Sequence, residues 1–260
     1  MGTELLETQP AAGVTRLQLH RPERRNALNL ALRRELAEAF ERLDRADTTR
    51  VILLAGVDKA FCAGADLNEY LEAGPAEIAA RRMDRLWGAI AHCGKPVIAA
   101  VRGFAIGGGC ELALHADLIV AGDTARFGQP EVKIGIMAGG GATQRLTQAV
   151  GKFRALKILL TGRPFTAQEA FEMGLCSEVV PDDEVDTRAL ALAEELAALP
   201  TSSLQSTKDA VLASMNLGLD RGLAYERHAF QLLFATEDKR EGMAAQLEKR
   251  QPRFNRGEEH

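Results

Sequence analysis

The chain has 260 residues, 46% of them apolar, and a formal net charge of -4. That length supports one sizeable core with room for a small appended unit, and the lack of a basic surplus counts against nucleic acid as a partner. Cys62, Cys93, Cys110 and Cys176 lie far apart with no C-x-x-C pair, so neither a zinc knuckle nor a disulfide framework is expected, and a reducing cytoplasm suits them best.

The N-terminus MGTELLETQP lacks the basic start and apolar stretch of a signal peptide, and Leu6 stands where a myristoylation signal opening on Met1-Gly2 needs Ser or Thr. VTRLQLH (14–20) alternates apolar and polar residues as a half-buried strand does, and 28–46 carries helical spacing. VILLAG (51–56) and PVIAAV (96–101) are continuous apolar runs of buried-strand length, with a second helical pattern, 76–91, between them. The longest apolar run, PVIAAVRGFAIGGGC, is interrupted by Arg102 and by glycines, so nothing approaches the roughly 20 apolar residues of a membrane helix.

DLIVAG (117–122) reads as a further strand, after which the pattern is mainly helical. Thr166 and Glu169 predict a capping box for AQEAFEM, Gly174 a stop, and 175–181 a return strand and turn. Thr236 before Glu237 and Asp238, with Lys249 and Arg250 at the far end, suits the dipole of a last helix. Repeats and low-complexity linkers are missing. The chain therefore reads as an α/β core over 1–195 and a helical region over 196–260.

Several chemistries are excluded by motif. The sequence has no G-x-x-x-x-G-K-[ST] loop, no G-x-S-x-G elbow and no H-E-x-x-H, and His20, His92, His115, His228 and His260 are scattered. Gly107-Gly108-Gly109 fails G-x-G-x-x-G because Leu112 holds the third glycine position. Nothing asks for a metal or a nicotinamide.

Two glutamates remain. Glu111 follows the glycines in GGGCELAL at the start of an apolar helix pattern, and Glu131 sits in FGQPEVKIGI. Two carboxyls held close in a dry pocket need not share one protonation state, which suits one as acid and the other as base. Exposed turn carboxylates would explain each equally well at this point. Three glycines ahead of a helix can turn backbone N–H groups toward an anion, although they also suit tight helix–strand packing. In FCAGADLNEY (61–70), small residues precede Asp66, an N-cap with Glu69 three positions on, and can present a second N–H, that of Ala65.

Taken together, HRPERRNALN (20–29), FCAGADLNE (61–69), KPVIAAVRGFAIGGGCELAL (95–114), ARFGQPEVKIGI (125–136), TQRL, LTGRPFTAQEAFEMGL (160–175) and FATEDKREGM (234–243) resemble the enoyl-CoA hydratase/isomerase, or crotonase, superfamily over nearly the whole chain. The nearest flavour is the bacterial hydratases, that of phenylacetate breakdown acting on a dehydroadipyl-CoA among them. The resemblance implies an α/β fold of stacked ββα units in a superhelix, with a helical C-terminal region used to assemble a trimer or a dimer of trimers. It places the oxyanion hole on the backbone N–H groups of Ala65 and Gly108 and the catalytic pair on Glu111 and Glu131. It sets Arg25, Ala27, Ala63, Gly64, Asp66, Leu67 and Pro130 along the path of substrate and coenzyme A.

The implied reaction is hydration of a trans-2-enoyl-CoA to a 3-hydroxyacyl-CoA, with no metal or redox cofactor, coenzyme A belonging to the substrate. A Δ3,Δ2-enoyl-CoA isomerase needs only one glutamate and is the rival among enzymes. An RNA-binding relative is the rival outside them, disfavoured by the acidic balance. One departure stands out: the family's Pro-Gly-x-Gly-Gly-Thr segment is here Ala138-Gly139-Gly140-Gly141-Ala142-Thr143, which bears on the pocket wall and so on acyl preference. On the tail, Leu223, Phe230, Leu233 and Phe234 have the spacing of an apolar helical stripe that either packs on its own core or joins subunits.

Overall fold

The computed structural model describes residues 3–57 and 60–255; Met1, Gly2 and His260 lie outside them. Along the chain run β1 (Leu5–Ala11), β2 (Gly13–Leu19), α1 (Leu30–Arg45), β3 (Thr49–Ala55), β4 (Ala60–Cys62), α2 (Pro75–Ala80), α3 (Met83–Ala91), β5 (Val97–Val101), β6 (Phe104–Ile106), α4 (Gly108–Leu114), β7 (Leu118–Gly122), β8 (Arg126–Gly128), α5 (Ala142–Val150), α6 (Lys152–Thr161), β9 (Phe165–Thr166), α7 (Ala167–Glu172), β10 (Glu178–Val180), α8 (Val185–Ala197), α9 (Thr201–Ser214), α10 (Leu219–Leu233) and α11 (Glu237–Glu248).

The larger sheet has the order β1-β2-β3-β5-β7-β10 and the smaller β4-β6-β8-β9. β1 and β2 form an antiparallel hairpin, the rest of the larger sheet is parallel, and β9 is the antiparallel member of the smaller one. Three times a long strand of the first sheet is followed by a short strand of the second and then by a helix: β3-β4-α2, β5-β6-α4, β7-β8-α5. These are the stacked ββα units that the resemblance implied.

The central strands are apolar throughout because both faces are covered. Val51, Leu53, Ala55, Ile98, Ala100 and Val120 pack on one side against Val185, Ala189, Ala193 and Ala197 of α8. The alternate residues Ile52, Leu54, Val97 and Ala99 face the main core with Leu32, Leu36 and Phe40 of α1. Alanines four apart give α8 a smooth face on the sheet. That helix runs to Ala197, so the sheet-covering part of the chain passes residue 195 and the remaining helices start at Thr201.

Local expectations fare unevenly. The capping box of Thr166 and Glu169 is present in full, and Thr236 caps α11. The 76–91 pattern is not one helix: Arg82 adopts a left-handed φ of 50° between α2 and α3, while Arg81 bonds the Glu69 carbonyl and Glu77 and lies over the Tyr70 ring. Asp66 caps a single 3-10 turn, Leu67–Glu69, without a reciprocal bond from Glu69, whose carboxylate instead accepts from the Leu30 N–H at the start of α1. Among the described residues no helix is long and apolar enough to cross a membrane.

Candidate functional site

The site is assembled where the smaller sheet hands over to α4. Gly107 precedes that helix with φ 54° and ψ -126°, a conformation open essentially to glycine. A Cβ on Gly109 would stand 2.1 Å from the Cys62 carbonyl oxygen, so the first turn of α4 lies directly on β4. The glycines divide: Gly109 is there for close packing, while Gly108 lines the cavity.

Gly108 and Ala65 both line a cavity of about 460 Å³. The Gly108 N–H belongs to the unpaired first turn of α4, and the Ala65 N–H likewise donates to no group among the described residues, although its neighbours Gly64 and Asp66 are tied to Leu28. The two residues are neighbours: a Cβ on Gly108 would lie 3.6 Å from the Ala65 nitrogen. Two N–H groups without a protein acceptor, side by side at a helix N-terminus, have the chemistry to receive a single oxyanion.

Both glutamates reach the same cavity. Glu111 is 4% exposed, and its Oε1 accepts from the Gly140 N–H at 2.6 Å and the Ala142 N–H at 3.2 Å. Ala142 is one of the departures from the family segment, yet it supplies its backbone donor as glycine would. Burial pushes the Glu111 carboxyl above the usual range, opposed by those two N–H groups and by the Arg33 guanidinium. Glu131, half-buried at the head of a 3-10 turn after Pro130, is also raised by burial, and the charge of Glu111 raises it further. The buried Gln129 carboxamide lies against Glu131, its nitrogen 3.0 Å from both carboxylate oxygens.

Of the other residues expected along the substrate path, Leu67 lines the cavity and is half exposed. Gly64 brackets the hole through its carbonyl bond to Leu28. Ala63 donates to the Arg25 carbonyl at 3.0 Å, so that Arg25 and Ala27 form an adjoining loop outside the cavity wall, with the Arg25 side chain in solvent. Asp66 is committed to the Asn68 carboxamide, to Arg21 and to the Asn68 N–H, contacts that hold its carboxyl below the usual range. Pro130 starts the turn that presents Glu131.

Sequence reasoning missed the opposite wall. Tyr70, Met83, Trp87, Ile136 and Met137 form much of it, together with Arg33 and with Asp84, whose carboxylate is paired with Arg82. Trp87 is sandwiched between Arg33 at 5.1 Å and the ring of His115 at 4.8 Å. Trp87 is the sole tryptophan of the chain, and its place on a helical face next to a cavity was a usable signal. Among the described residues no three His, Cys, Asp or Glu side chains gather as metal ligands.

A pair of backbone donors facing two carboxyls suits reactions through a thioester enolate. The family model described as Enoyl-CoA hydratase/isomerase matches residues 9–257. A probable enoyl-CoA hydratase of Rhizobium meliloti (strain 1021) is 46% identical over 97% of this chain and 97% of its own. The 2,3-dehydroadipyl-CoA hydratase of Escherichia coli (strain K12) is 46% identical over 92% of this chain and 93% of its own. The enoyl-CoA hydratase subunit I of Geobacillus kaustophilus HTA426 superposes with a TM-score of 0.94 at 42% identity, covering 97% of this chain and 98% of the other. With its ββα stack, its glycine-led α4 and this match over nearly its full length, the chain belongs to the enoyl-CoA hydratase/isomerase family.

Proposed function

We infer that the protein is an enoyl-CoA hydratase, adding water across the double bond of a trans-2-enoyl-CoA. The observation that carries this reading is the meeting, in one cavity, of two unspent backbone donors and two carboxyls with different surroundings. The Ala65 and Gly108 N–H groups hold the thioester oxygen and take up the charge of the enolate, an effect worth about 3 kcal/mol per donor.

The surroundings divide the labour of the glutamates. Burial raises both carboxyls, but only Glu111 is opposed by the N–H groups of Gly140 and Ala142 and by a cation, so in this reading Glu111 orients the water and receives its proton as oxygen bonds to the β-carbon. Glu131 is pushed toward its acid form by burial and by the Glu111 charge, so it protonates the α-carbon. Transfer of one proton from Glu111 to Glu131, directly or through solvent, restores the pair. Neither step calls on a metal or a redox cofactor. The protein works as a homo-oligomer, a trimer or a dimer of trimers, in the cytoplasm, and the ω-carboxylated acyl group named for the Escherichia coli relative is among its candidate substrates.

A panel of purified short, long and ω-carboxylated enoyl-CoA esters tests this, scored by loss of the conjugated-thioester absorbance. Hydration of at least one ester is expected. Failure on every 2-enoyl ester, with conversion of a 3-enoyl-CoA to its conjugated isomer, would replace the hydratase reading with an isomerase.

A further inference from the structure

Arg33, in the first turns of α1, is a buried cation that makes no ion pair among the described residues, although Glu111 of the same cavity feels its charge. It is 7% exposed, its Nε is buried without a hydrogen-bond partner, and among the described residues no carboxylate lies within ion-pair distance of it. Its neighbour is the face of Trp87 at 5.1 Å. A buried cation ordinarily has an anionic partner, because desolvation costs more than an aromatic face returns. Glu111 is coupled to Arg33 without a hydrogen bond or ion pair, which leaves the guanidinium free to meet an anion that arrives with a ligand.

Position identifies which anion. A Cβ on Gly108 would stand 3.3 Å from Arg33 Nη2 and 3.6 Å from the Ala65 nitrogen, so the guanidinium and the two backbone nitrogens border one small volume of the cavity they line. The first turn of α4 is already the positive end of a helix, and in the free protein a second positive charge there gains nothing from it. With substrate bound, that volume receives the thioester oxygen, neutral at first and negative in the enolate. A carboxylate at the far end of an acyl chain has the right charge but leaves from the other side of the thioester carbon.

Building on the hydratase reading above, we propose that Arg33 is a third, cationic contributor to the oxyanion hole, stabilising the charge that develops on the thioester oxygen. Because the attraction grows as the enolate forms, it acts on turnover more than on substrate affinity. It also supplies the field that helps keep Glu111 ionised.

The test compares wild type with Arg33→Met and Arg33→Lys. One readout is hydration of crotonyl-CoA, and the other is the near-ultraviolet enolate band of bound acetoacetyl-CoA at fixed pH. Arg33→Met is expected to lower kcat about 10-fold or more with a much smaller change in KM, and to weaken the enolate band per bound ligand. Arg33→Lys should recover part of both. Melting curves report folding, and Arg33→Gln replaces the methionine variant if that one fails to fold. Wild-type kcat and an unchanged band in the neutral variant would overturn the proposal. So would a loss confined to ω-carboxylated esters, which marks a chain-end receptor, or equal losses in the lysine and methionine variants with the band intact, which marks a packing role. A wild-type protein that hydrates no enoyl-CoA would sink the parent reading instead.

Discussion

At the scale of single residues, the chemistry depends on protons and on one backbone atom. Glu111→Gln and Glu131→Gln keep the shape of each side chain and remove its titration, so each is expected to cut crotonyl-CoA turnover by about 10² or more with KM far less affected. Steady-state kinetics that left either variant near wild type would end the two-carboxyl mechanism. Gly108→Pro removes a donor and leaves the side chains untouched. Proline is tolerated in the first turn of a helix, so a folded variant losing about 10² to 10³ in turnover is expected. Gly108→Ala retains the N–H but sets a methyl 3.6 Å from the Ala65 nitrogen, inside the hole, with the movable end of Arg33 at 3.3 Å. Its loss should fall mainly on substrate affinity, and a KM unchanged from wild type would show that the thioester oxygen binds elsewhere. Glu111 and Glu131 stood out in the sequence beside three glycines and within an apolar segment, but only the family resemblance lifted them above exposed turn carboxylates. Arg33 did not stand out, since an arginine on an amphipathic helix looks like a solvated one until the cavity is seen.

At the scale of elements, α4 joins the two sheets to the site at both of its ends. Its start rests on β4 through Gly109, where a methyl would overlap the Cys62 carbonyl at 2.1 Å, against backbone that cannot swing away. Gly109→Ala is therefore expected to lower Tm by about 5 °C or more, and a melting curve matching wild type would contradict that packing. At its end His115 donates Nδ1–H to the Glu111 carbonyl at 2.8 Å, and burial, aided by the charge of Arg145, pulls the imidazole down to about 4. An unfolded histidine titrates near about 6.5, so between these values the unfolded chain binds the extra proton and the folded one does not. This contribution is complete above about pH 6.5 and drains away as pH falls toward 4, by at most about 1.4 kcal/mol per unit. Glu111 and Glu131, raised in the fold, act in the opposite sense. Their effect cancels on comparing wild type with His115→Phe, which keeps a ring against Trp87. Denaturant midpoints should fall more steeply with acid for wild type than for the variant, and parallel lines would mean that His115 does not stay neutral. The long strands around α4 could be read from continuous apolar runs, because burial on both faces leaves that mark. β4, β6 and β8 have three residues each, too few to leave a period, and the left-handed Arg82 that splits 76–91 has no compositional sign.

At the scale of the whole molecule, the order of the ββα units was legible only through resemblance, since periodicity finds strands but not their partners. The tail poses the converse case, in which the pattern was clear and its use was not. α10 holds Leu223, Phe230 and Leu233, with Phe234 at its end, and in the single chain Phe230 is 60% exposed and the adjacent Leu232 74%. Phe230 meets Phe234 edge to face at 5.0 Å, an aromatic pair that the chain's own core leaves largely uncovered. A single chain gains nothing by holding such residues in water, whereas a closed ring of subunits buries the same patch on every copy. Sedimentation at micromolar concentration should therefore give a trimer or a hexamer. Phe230→Glu, which sets a charge in the middle of that face, should shift the distribution toward smaller species without unfolding the subunit. A wild-type protein that sediments as a monomer would refute the assembly, and an oligomer indifferent to Phe230→Glu would place its interface on another face.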